Sequence, residues 1–213
     1  LKIIAHKKIA AYLKDRNDPR RLIPTNTYTG NHTVKLGSEQ VQLDHHGNYH
    51  SNESDVFMYI AKHKFLMVVD SITPGYAPFM SFDLTHNFHE YLNMFDAILA
   101  YDFDVFVGGH LTQLGDKKDV RIVQSYVKDV YETVKRVHRE TNQYELMAAT
   151  AKVVGWDNKF LLFKEFLDHV IEKSALEIEK RSRSQTRPPL LDPPLSSAKR
   201  ASDATSDSPN KGE

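Results

Sequence analysis

Short apolar runs separated by polar turns fill the first half of this chain, and helical stripes fill the second. Residues 2–5, K-I-I-A, read as a short buried strand. Over residues 6–14 the spacing becomes helical, with Ile9, Ala10 and Leu13 on one face. Residues 15–28 carry N-D-P and I-P-T punctuation and read as loop. Two short runs, 33–36 and 41–43, flank Gly37-Ser38 and predict a hairpin. Residues 55–61 and 64–69 predict a second strand pair, joined by a polar turn at Lys62-His63. The run F-L-M-V-V within 64–69 is apolar throughout, which predicts a central strand covered on both faces.

Residues 71–83 hold Pro and Gly and read as loop. Residues 85–101 predict a helix capped by Thr85, with Phe88, Tyr91, Leu92, Phe95, Ile98 and Leu99 at helical spacing. Residues 104–107 form a short apolar strand that ends in Gly108-Gly109-His110. A long amphipathic helix follows over 116–139, with Val120, Val123, Val127, Val130, Tyr131, Val134 and Val137 as its stripe. Two further helices are predicted over 144–153 and 159–180, separated by Gly155-Trp156-Asp157-Asn158. From residue 181 the chain turns rich in Ser, Pro and charge and contains no aromatic residue. Such a segment buries too little apolar area to offset its ordering entropy, so 181–213 is expected to be a disordered tail beside a domain spanning 1–180.

Composition narrows the functional classes. Lys+Arg and Asp+Glu balance at 28 each, and no basic stripe appears, so neither nucleic acid nor an anionic membrane is an expected partner. No apolar run reaches the length of a membrane-spanning helix. With no cysteine, disulfides and thiolate metal sites are excluded. Compartment and oligomeric state are left open by these features. Eleven histidines are many for 213 residues and direct attention to metal ligation.

Three candidate ligands stand at strand ends or in the turns after them: His50 in G-N-Y-H-S, Asp70 in V-V-D-S-I-T-P-G, and His110 in D-V-F-V-G-G-H. Strand ends converge in space even when distant in sequence, and a metal requires ligands around one point. Each has a plainer reading as well. His50 and His110 fit turns, and Asp70 fits a turn or helix cap. His45 and His46 are candidates for outer-shell donors, and His86 for the site mouth. His6 reads as structural, and His32, His63, His138 and His169 as surface. The run Pro74 to Met80 and the loop from Tyr28 to His32 place aromatic and apolar residues where they would line a pocket or anchor packing.

Taken together, G-N-Y-H-S, V-V-D and V-G-G-H resemble, in order and spacing, the second half of a metallo-β-lactamase-fold hydrolase. The resemblance covers about residues 2–129, and I-I-A-H is similar to the strand after that family's first metal motif. It implies an α/β fold, a partial αββα sandwich with appended C-terminal helices. It also implies a zinc-dependent hydrolase acting on a small molecule with an ester, lactone, lactam or similar bond. His50 would bind one ion, His110 the other, and Asp70 would bridge both and act in catalysis. Two Zn²⁺ ions per complete site are implied, and another divalent metal would also suit these ligands. A metal brings the pKa of a coordinated water towards about 7, which is the chemistry such a site offers.

The family signature H-x-H-x-D-H does not occur in this sequence. The chain opens with Leu1, directly into an apparent strand, so the expectation is an N-terminally truncated record of a hydrolase, inactive as it stands. The alternative is a non-catalytic relative, kept as a binding or scaffold protein with an incomplete metal site.

Overall fold

A computed structural model describes residues 2–50, 55–78, 85–111 and 114–184. Its centre is a six-stranded mixed sheet in the order β3-β4-β5-β6-β7-β8. The strands are β3 (Asn31–Leu36), β4 (Glu39–His45), β5 (Val56–Ile60), β6 (Phe65–Val68), β7 (Val105–Val107) and β8 (Leu114–Gly115). β3 to β6 pair as antiparallel neighbours, whereas β6 and β7 run parallel, with Leu66 opposite Phe106. A parallel pair needs a crossover. Helix α2 (Phe88–Leu99) lies in the connection that supplies it. β1 (Ile4–His6) pairs in parallel with β2 (Asn26–Tyr28) as a separate ribbon, with α1 (Lys7–Arg16) between them.

The rest is helical. Helix α3 (Lys117–Glu140) starts at Asp116, whose carboxylate accepts the backbone N–H groups of Lys118 and Asp119. The Asp119 side chain returns the bond to the Asp116 N–H, closing a capping box. Helices α4 (Gln143–Val154) and α5 (Lys159–Ser184) complete the described chain. The main core joins the sheet to α2 and α3 through Phe57, Leu66, Val68, Phe106, Tyr91, Phe95, Ile98, Val120, Val123 and Val127. A smaller core of Val137, Phe166 and Val170, with Leu146 against it, ties α3, α4 and α5.

Several sequence expectations need correction. Residues 26–28 form β2 and are not loop; three polar or aromatic residues at a ribbon edge carry no apolar alternation to betray a strand. Helix α2 starts later than expected. Its cap is Asn87, which accepts the Glu90 N–H, while the Thr85 hydroxyl donates to the Tyr49 carbonyl instead. β6 is central, but only Leu66 and Val68 are buried; Phe65 and Met67 are half-exposed, so one face alone is sealed. His32 is half-buried and stacks on Tyr28 with ring centroids 5.0 Å apart, so it is not a free surface residue. Helix α5 runs through Ser184, past the expected tail boundary at 181. Arg181 reaches back to Asp129 and to the Thr133 hydroxyl on α3, and this extends the helix. Residues 185–213 lie outside the described residues, as do 79–84, which include Phe79 and Met80 of the expected pocket rim.

Candidate metal centre

The loops after β6 and β7 leave the sheet side by side because their strands pair in parallel. Several bonds shape the first loop. Ser71 is buried and its hydroxyl donates to the Val68 carbonyl at 3.0 Å, while the Tyr91 hydroxyl donates to the Ser71 carbonyl at 3.0 Å. Asp70 adopts a left-handed backbone, φ 62°, which Asp tolerates better than most residues.

The second loop fits against the first only because it lacks side chains. A Cβ at Gly108 would lie 1.8 Å from the Ile72 carbonyl oxygen, and one at Gly109 2.8 Å from Val69 Cγ1. Gly109 has φ 88° and Leu111 φ 57°, so the chain turns sharply around His110. The Asp70 N–H donates to the Gly108 carbonyl at 3.0 Å and locks the two loops together. The result is a direct contact between Asp70 Oδ1 and His110 Nε2. It is an ion pair when the imidazole is protonated and a hydrogen bond when it is neutral. Both side chains keep solvent access, with 38% of Asp70 and 62% of His110 exposed, so a ligand can reach them.

His50 is delivered by a different loop, after β4. Gly47 has φ 111°, and its N–H donates to His45 Nδ1 at 3.0 Å. Tyr49 is buried, and the His50 N–H donates to the buried Asp55 carboxylate at 2.7 Å. The backbone of this loop is thus pinned at Gly47 and at His50. The structure brings Asp70 and His110 together. Among the described residues, no group of three or more His, Asp or Glu side chains converges as a metal cage.

The expected outer-shell histidines have defined partners. Because His45 Nδ1 accepts the Gly47 N–H, a neutral His45 carries its proton on Nε2. Its ring lies 4.3 Å from that of buried His6, which also meets Tyr28 edge-on. His46 belongs to a polar chain that the sequence did not reveal. The Tyr101 hydroxyl donates to the buried Asp44 carboxylate at 2.6 Å, and His46 Nε2 lies 2.7 Å from the Tyr101 hydroxyl oxygen. Since the phenol proton is committed to Asp44, the His46 N–H must be the donor of the second bond. Burial and the Asp44 charge both hold the Tyr101 phenol well above the ordinary tyrosine range. Burial lowers the His46 pKa, partly opposed by the Asp44 charge. The sequence clue was an acid within a strand, at D-H-H, but its partner lies 57 residues away.

Neither a protein-family model nor a curated protein matches the chain. Solved structures do. A metallo-β-lactamase from Pontibacter korlensis superposes with a TM-score of 0.52 at 15% identity, covering 60% of this chain and 58% of that one. A DIM-1 metallo-β-lactamase exposed to ceftazidime superposes with a TM-score of 0.50 at 16% identity, covering 60% and 57%. The chain has the metallo-β-lactamase fold. It spans less than three-fifths of the length of either of these metallo-β-lactamases. The α/β architecture implied by the three sequence motifs therefore stands at the level of the metallo-β-lactamase fold. Among the described residues, no helix of it is long and apolar enough to cross a membrane.

The donor set can be tested against a metal on chemistry. A carboxylate oxygen and an imidazole nitrogen suit zinc, which takes four ligands in tetrahedral structural sites and three protein ligands in catalytic ones. Asp70 and His110 thus fit half of a tetrahedral shell.

Proposed function

We propose that this chain contributes Asp70 and His110 to the site of a metal-dependent hydrolase. The observation that supports this reading is their direct contact across two loops that are locked together and carry left-handed residues. Unusual backbone held by surrounding structure concentrates at functional sites. His50 is the third proposed ligand. Asp70 and His110 would hold a divalent cation between them, and Zn²⁺ is the preferred one. When bound, it would supply Lewis acidity for attack on an ester, lactone, lactam or similar bond of a small molecule. The chain's own backbone would position these two ligands: the Asp70 N–H bond to Gly108 and the Gly108-Gly109 turn hold the loops that carry them side by side.

A second reading is a non-catalytic protein that keeps the fold with an incomplete site. Its support is that no three candidate ligands converge among the described residues, and that H-x-H-x-D-H is absent from the sequence. Under either reading the chain is expected to bind at most one ion, and weakly. Equilibrium dialysis against Zn²⁺, with metal quantified per chain, tests the site. The expected result is substoichiometric or weak binding that Asp70→Asn and His110→Ala each abolish and His50→Ala reduces. Metal content unchanged in the variants would defeat the site. Chromogenic lactam, lactone and thioester substrates offered to the protein made from its complete gene then separate the two readings: zinc-dependent turnover supports the hydrolase, and zinc binding without turnover supports the second reading.

A further inference from the structure

Helix α5 carries two apolar stripes. Leu162, Phe166 and Val170 face inward against α3 and α4. Phe160, Phe163, Leu167 and Ile171 form the second stripe, roughly a quarter turn round the helix. They are exposed at 80%, 49%, 39% and 61%. Scattered apolar residues at a surface are normal, but four at i, i+3, i+7 and i+11 on one helix form a continuous seam.

The margin of this seam decides what fits it. Lys164 and Asp168 lie on one flank, a turn apart, and form an ion pair within the helix. We infer that the seam joins two copies of this chain through antiparallel packing of α5 about a two-fold axis near residues 165 and 166. In that arrangement Phe160 of one copy meets Ile171 of the second, and Phe163 meets Leu167. Lys164 of each copy then faces Asp168 of the other, twice by symmetry. An isologous interface must be self-complementary in this way. A cation and an anion placed equally on either side of the axis, along one flank, satisfy that requirement.

Sedimentation velocity on the full chain tests the interface. The expected wild-type result is a reversible species of about twice 24.5 kDa that dissociates on dilution. Leu167→Glu should leave the monomer with unchanged helical circular dichroism. Lys164→Glu and Asp168→Lys each place like charges opposite one another and should each weaken self-association roughly tenfold. Mixing these two variants should restore association, because each copy then faces the opposite charge. The intrahelical pair stays broken in both, so restoration reports a contact between copies. A wild-type chain that remains monomeric up to about 100 μM, where the association would be worth less than about 5.5 kcal/mol, overturns the proposal. Failure of the mixture to associate overturns it as well. So does cross-linking of the seam to residues 185–213 of the same chain in a monomer, which would identify that segment as the occupant.

Discussion

The Gly108 backbone lies so close to Ile72 that a single added methyl would stand 1.8 Å from the Ile72 carbonyl oxygen. This contact sets how closely the loops after β6 and β7 approach. Gly108→Ala is expected to force them apart at a cost of about 3 kcal/mol, the upper end of the usual range for overpacking, because the clash is with backbone. Urea unfolding measures it. Asp70→Asn, which keeps a residue that tolerates the left-handed backbone, should cost less than about 1 kcal/mol, because the Asp70–His110 contact is exposed. Equal losses for the two substitutions would refute this division between loop packing and surface pairing.

Removing the Tyr101 hydroxyl leaves the buried Asp44 carboxylate without that donor and the His46 N–H without that acceptor. Tyr101→Phe is therefore expected to destabilise by about 1–3 kcal/mol, although the ring packing is kept. Ultraviolet titration supplies a second readout. Tyr101 ionises above the ordinary tyrosine range, so the variant should lose phenolate signal only from the top of the curve.

His46 contributes an acid limb. Its folded pKa lies below the ordinary histidine value, so the unfolded chain takes up this proton first. The associated stability is fully present above the unfolded pKa of about 6.5 and is lost as pH falls below it, down to the lower folded value. His46→Gln should flatten the stability profile across that interval relative to wild type. A steeper profile in the variant would contradict the assignment.

At the start of α3, Asp116→Ala deletes both acceptor bonds of the capping box. A loss of about 1 kcal/mol is expected, visible as a lower melting temperature. Asp116→Asn, which can still accept these bonds, should recover most of it. A variant as unstable as Asp116→Ala would argue that charge, not capping, is what matters there.

The elements with strong periodicity were legible in the sequence. The valine stripe of α3 places Val120, Val123, Val127 and Val137 in the cores, and the first four residues of F-L-M-V-V form a central strand. β2 and β8 were not legible, since two or three residues with exposed side chains leave no pattern to read. Of the candidate site, Asp70 and His110 were readable from strand ends followed by turns. The Tyr101–Asp44–His46 chain was not, because it depends on which residue of a helix end meets a distant strand. The cap of α2 was misplaced by two residues, since Thr85 and Asn87 are both competent caps and only the Tyr49 carbonyl, distant in sequence, decides between them.

The parallel register of β6 and β7 also carries a kinetic consequence. Asp70 and His110 are 40 residues apart and follow strands that no local hairpin can align. Their meeting requires the α2 crossover to close a long loop first, which is slow compared with forming the β3–β4 and β5–β6 hairpins. The contact between this carboxylate and this imidazole is thus expected to form late in folding. A probe placed on either loop is expected to report the joining of β6 to β7, and a signal that changes as early as that of the β3–β4 hairpin would contradict this order.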